Sequence, residues 1–148
     1  GAVLRGHTFG DAVDNTETRH RAVFGMFGAA FKEQMFAQAK RDYPISRETE
    51  EKLQKLDNYL QTRFKLAFGN RIIKQMHDFI PVYVACGGTE LDGMDYIVAR
   101  KVLKKLESMN VTFVRDEIRS LIEYIEKVFG KTNMPDSKAY LTRIQNIF

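Results

Sequence analysis

The sequence predicts an all-α bundle of about six helices. Three observations carry that expectation. Apolar residues recur at spacings of three and four through most of the chain, the interval at which side chains share one helix face. Glycines and prolines interrupt the pattern at Pro44, Gly69, Gly87-Gly88, Gly130 and Pro135, where helices stop or start. No segment alternates apolar and polar residues as a half-buried strand does, and the short connections favour antiparallel neighbours. With 148 residues, 44% of them hydrophobic, the chain can bury a sizeable core.

The first fifteen residues hold Gly1, Gly6 and Gly10 among isolated apolar positions and read as an arm or loop. From Thr16 to about Arg41, Val23, Phe24, Phe27, Phe31, Met35 and Phe36 share one helix face. Gly25 and Gly28 weaken that helix and allow another element to approach closely. Tyr43-Pro44 ends it, because proline disfavours helical geometry in the residue before it. These features separate an N-terminal arm with an amphipathic helix, 1–45, from a helical domain, 46–148.

Ser46 reads as the N-cap of the second helix, with Glu48, Glu50 and Glu51 in its electropositive first turn. Leu53, Leu56, Leu60, Phe64 and Phe68 form its buried stripe, which is expected to stop at Gly69. The third helix places Ile72, Ile73, Met76, Phe79, Ile80, Tyr83 and Val84 on one face, with Pro81 expected to kink or shorten it. Gly87-Gly88 stops it, and Thr89 with Asp92 resembles a capping pair for the fourth. There Leu91, Met94, Ile97, Val98, Val102, Leu103 and Leu106 face inward, with Arg100, Lys101, Lys104 and Lys105 outward. After Ser108-Met109-Asn110 a fifth helix carries Val114, Ile118, Leu121, Ile122, Ile125 and Val128 as far as Gly130. The last runs from Ser137 to about Ile147, after the turn Asn133-Met134-Pro135-Asp136.

Composition excludes several classes of function. Cys86 is the single cysteine, so the chain can form neither an internal disulfide nor a thiolate zinc site by itself, and a cytoplasmic setting is expected. In its apolar tract Cys86 reads as packing. His7, His20 and His77 share no ligand spacing, and no metal site is expected. Apolar runs such as Phe79 to Cys86 are far shorter than a membrane-spanning helix needs. No G-x-S-x-G elbow is present, and the carboxylates of Glu48 to Glu51, Glu123 and Glu126 follow solvated helix faces, so no catalytic residue is assigned.

The 23 lysines and arginines against 19 acids give a formal charge of +4, which permits contact with phosphate without demanding it. The basic residues Arg100, Lys101, Lys104 and Lys105 are candidates for nucleic-acid backbone contacts, although an ordinary solvated helix face carries the same pattern. Arg71 differs, because it follows Gly69-Asn70 at a helix start. Unpaired backbone N–H groups and the positive end of the helix dipole favour an anion there. Yet the chain contains no G-x-x-x-x-G-K-[ST] loop, the usual triphosphate cradle.

From about Ser46 to Phe148 the order of these features resembles the C-terminal helical lid of the McrB-type AAA+ ATPases. Asp57-Asn58-Tyr59-Leu60 matches an Asn-x-x-Leu-like helix end, and Phe68-Gly69-Asn70-Arg71 a G-[YN]-R element. Met94-Asp95 and Lys101-Val102-Leu103-Lys104-Lys105-Leu106 match a later acidic element and a K-V-L-x-K-L signature. Lys104 stands where that family often has proline, and Asn70 where it has tyrosine.

The resemblance implies that Arg71 senses bound nucleotide, its guanidinium fork reaching the γ-phosphate so that the lid closes on triphosphate. Gly69, Asn70 and Lys74 would support that surface, with Gln75 beside them. ATP or GTP with magnesium would sit in a preceding core domain of the same protein, and a chain opening on Gly1 without methionine is expected to be a fragment. The assembly would be a homo-oligomer, with DNA and a nuclease as partners in restriction or defence. The alternatives are a free-standing helical module that binds nucleic acid or a protein through Arg100 to Lys105, and a bundle that dimerises through its phenylalanine helix.

Overall fold

The computed structural model describes residues 29–109 and 111–147, and every regular element among them is helical. Six α-helices follow in order: α1 Ala29–Asp42, α2 Arg47–Phe64, α3 Gly69–Ala85, α4 Glu90–Ile97, α5 Val111–Phe129 and α6 Pro135–Ile147. The predicted all-α bundle is therefore the fold. Expectations for Gly1 to Gly28, including the first part of the phenylalanine stripe, lie outside the described residues. No helix among the described residues is long and apolar enough to cross a membrane.

Local chemistry sets most boundaries. Ser46 caps α2 as expected, its hydroxyl accepting from the Thr49 N–H at 3.2 Å. The far end differs from the sequence reading, because α2 stops at Phe64, short of Gly69. Lys65 takes the left-handed conformation at φ 55°, and the N–H groups of Lys65 and Leu66 turn back to the carbonyls of Gln61 and Leu60. Phe68 still enters the core, though from the connection and not from the helix. Its apolar side chain was consistent with either placement.

Helix α3 runs through Pro81 to Ala85, so the proline does not shorten it. The ring replaces one amide in a turn where Pro81 is itself buried, and the packed face carries the helix onward. Gly87, at φ 96°, ends the element, with the Gly88 N–H bonding the Tyr83 carbonyl. Thr89 then caps α4 by accepting from the Asp92 N–H at 3.1 Å.

The predicted fourth helix is a composite. Helix α4 ends at Ile97, a π-helical turn follows over Val98–Val102, and 3₁₀ turns continue over Leu103–Ser108. Val98, Val102, Leu103 and Leu106 remain buried throughout. An extra residue per turn rotates the groups that follow about the axis. The spacing of the apolar residues is met by the composite as well as by a straight helix, and so it hides the change.

Helix α6 begins at Pro135, two residues before the predicted Ser137, with proline in the first turn where its missing N–H is harmless. Asp95 from α4 supplies the cap, its carboxylate accepting the N–H groups of Asp136 and Ser137, each at 2.8 Å. Asp95 is buried, and burial pushes its carboxyl above the ordinary range against the pull of its bonds to Ser137 and Asp136.

One core joins α2, α3, α4 with its π and 3₁₀ continuation, α5 and α6, centred on Leu56, Leu60, Met76, Met94, Leu103, Leu121 and Leu141. Helix α1 packs on α3 through a smaller cluster of Ala39, Val82 and Cys86, with Met35 and Phe36 against it.

Glu90 fastens α4 to the start of α2, accepting from Ser46 Oγ at 2.7 Å, Thr49 Oγ1 at 2.6 Å and the Ser46 N–H at 2.7 Å. Burial raises its pKa, but these bonds outweigh that and hold the carboxyl below the ordinary glutamate range. With the folded value depressed, the bonds stabilise the fold above the unfolded value of about pH 4.3 and are lost as pH falls through the folded one. Thermal melts from pH 7 down to pH 3 should therefore show Glu90→Gln with a shallower acid loss than the parent. An identical acid limb would contradict this.

Candidate functional site

The Phe68 to Arg71 corner is built by a buried carboxylate. Asp57 on α2 accepts the Phe68 N–H at 3.0 Å, fixing the connection just before α3 begins. Gly69 adopts φ 81°, a left-handed angle that explains glycine there although a Cβ would meet open space. Asn70 and Arg71 follow, and all three residues are exposed. Among the described residues no hydrogen bond or ion pair engages the Arg71 guanidinium.

The start of α3 also differs from its neighbours. Ser46 caps α2, Thr89 caps α4 and Asp95 caps α6, whereas α3 has neither a side-chain cap nor an acid in its first turn. Its first residues are exposed beside an unengaged cation, an arrangement that fits an external anion.

One turn further on, Lys74 is exposed and bonds Asp78 at 2.8 Å. Asp78 also pairs with Lys40 of α1. Burial pushes the Asp78 carboxyl up, and the two lysines more than reverse it, leaving it below the ordinary range. Lys74 is raised in turn by its bond to Asp78. Lys74 is thus engaged along α3, and Gln75 lies beside Phe79 and Tyr96 in a groove. His77 does not face Asp78; its Nε2 lies 2.6 Å from Glu50 on α2, and its Nδ1 2.9 Å from the Ile73 carbonyl. Glu50 accordingly belongs to the α2–α3 contact and is not a freely solvated acid. No group of histidine, cysteine and acidic residues among the described residues could hold a metal ion.

The basic residues after α4 are all exposed, but the composite helix separates them. Arg100 lies 4.1 Å over the Tyr96 ring and 3.5 Å from Asp136 of α6. Lys104 lines the same cleft as Arg100, whereas Lys101 lines the groove with Gln75 and Asp78. Lys105 lines neither.

A model of the family described as "Domain of unknown function (DUF8727)" matches residues 22–148. The chain belongs to this family. Neither the curated proteins nor the solved structures contain a match. The DUF8727 span takes in Arg71 with its supporting Asp57, and the cleft around Arg100 and Lys104.

Sequence reasoning on this DUF8727 domain missed Asp57 and Asp95 as positioning groups. Both sit among polar or mixed neighbours in the sequence, and a carboxylate that caps a distant segment carries no periodic signal. The nearest hint is that Asp57 falls four residues after Leu53, on the buried side of α2.

Proposed function

We propose that this domain is a nucleotide-sensing helical lid, in which the open start of α3 meets the terminal phosphate of a nucleotide held by another domain. The observation that carries the reading is the uncapped α3 start, with Arg71 exposed and unengaged among the described residues and the segment before it pinned by Asp57. Backbone amides and a guanidinium fork together stabilise a phosphate oxygen, and the interaction weakens when hydrolysis removes it. A closed lid on triphosphate and a relaxed one afterwards convert binding energy into motion.

In this reading ATP or GTP with magnesium is held by an AAA+ core of the same protein, of the McrB-like restriction type. The working form is a homo-oligomer, with DNA and a nuclease as partners. Lys74 contributes positive potential while tied to Asp78, and Gly69 and Asn70 contribute backbone. The alternative, a nucleic-acid face over Arg100 to Lys105, finds less support, because Arg100 and Lys104 share their cleft with Asp136 and Glu107.

Two-dimensional NMR of the chain with added ATP or GTP and magnesium tests the reading. Amide shifts are expected at Gly69, Asn70 and Arg71 in the millimolar range, with Arg71→Ala weakening binding by about tenfold. In the polypeptide that joins this domain to its core, the same substitution should lower turnover without unfolding the lid. Unchanged turnover would sink the sensor role.

A further inference from the structure

Away from the α3 start, α6 and the π and 3₁₀ turns enclose a cleft of about 580 Å³. Its walls carry the cations Arg100, Lys104 and Arg143, the carboxylates Glu107 and Asp136, and Tyr140. That volume lies within the range of small-molecule sites, and the convergence of a few polar groups on one concavity is their usual form.

The charges are unevenly satisfied. Asp136 is occupied by Arg100 at 3.5 Å. Lys104 has no ion pair among the described residues, and the Arg143 guanidinium meets only the Tyr140 ring, 5.1 Å from its centroid. Two cations of different shape, one a point charge and one a planar fork, thus line the same space without a carboxylate of their own. The Tyr140 hydroxyl is shut off from solvent and turned to the Glu107 carboxylate. Burial, with the Glu107 carboxylate beside it, pushes that hydroxyl up to about 12, so it stays a protonated donor at neutral pH.

We propose that this cleft binds a small phosphomonoester carrying hydroxyl groups, of the sugar-phosphate class. The dianionic phosphate matches the two unpaired cations in charge, and the guanidinium fork and the ammonium supply donors to its oxygens. Glu107 is the acceptor for the hydroxyls of the organic part, which a second bare anion would lack. Ala99 and Ala139 leave room for a ring between the walls. The π turn is part of the site, because it brings Arg100 and Lys104 to the α6 side while Lys101 faces the other groove.

Titration of the 148-residue chain with glucose 6-phosphate, glucose and inorganic phosphate, followed by amide shifts, tests the assignment. Glucose 6-phosphate should shift Lys104, Glu107 and the residues from Asp136 to Arg143 at about 10 mM or below, and glucose should not. Lys104→Met and Arg143→Met should each weaken binding by about tenfold. Both side chains are exposed, and circular dichroism reports whether the helices persist. Arg71→Ala should leave this binding unchanged, which separates the proposal from the nucleotide-sensing role. No shift at about 10 mM, or shifts that survive Lys104→Met and Arg143→Met together, would overturn the site. Equal affinity for inorganic phosphate would overturn the sugar-phosphate class.

Discussion

Replacing Phe68 by alanine will lower the stability of the bundle by about 3–5 kcal/mol, the cost of deleting a fully enclosed aromatic ring. The ring is 1% exposed and belongs to the main core, although its backbone lies between two helices. A connection offers little neighbouring backbone that can collapse into the vacated volume, which keeps the loss toward the upper part of that range. The Asp57 bond to the Phe68 N–H does not involve the side chain, so the corner keeps its anchor while losing its packing. Urea denaturation would show a lower midpoint with an unchanged slope. A loss below about 1 kcal/mol would mean that the ring is not in the core.

Asp95→Ala carries the second large effect, about 2–4 kcal/mol. Two backbone donors at the start of α6 would lose their acceptor, and Ser137, 0% exposed, has no water at hand to replace it. Asp95→Asn tests the cause. Its amide oxygen can still accept one of the two N–H groups, and removing the charge relieves a burial that already holds the carboxyl above its ordinary range. Asn should therefore retain about half of the stability that Ala loses. Hydrogen exchange should show the first turn of α6 opening first in Asp95→Ala. Equal losses for Asn and Ala would assign the effect to packing.

The helices were legible because their signals are local. Ser46 and Thr89 announce caps within three residues, Gly87 and Gly130 announce stops through positive φ, and the stripe from Leu53 to Phe64 repeats at the helical period. The end of α2 was not legible, because Lys65 takes its left-handed turn without glycine, while Gly69 drew attention as the more usual stop. Arg71 was singled out correctly as an exposed residue at a helix start. Its positioning by Asp57 depends on a contact across eleven residues of chain. Arg143 and Tyr140 escaped notice for the same reason: they join Lys104 only when α6 folds back over the 3₁₀ turns.

The π turn at Val98–Val102 also bears on how this domain can diversify. A substitution changes one group lining the cleft, but removal of one codon within these five residues would let the backbone relax to an ordinary helical winding. Five residues at the wide π winding carry the chain about as far round the axis as four at the α winding, so Lys104 and Glu107 would keep their direction toward α6. Loss or gain of a single residue at this place is thus absorbed within one turn, and the lining of the cleft can change in one genetic step while its walls stay in register.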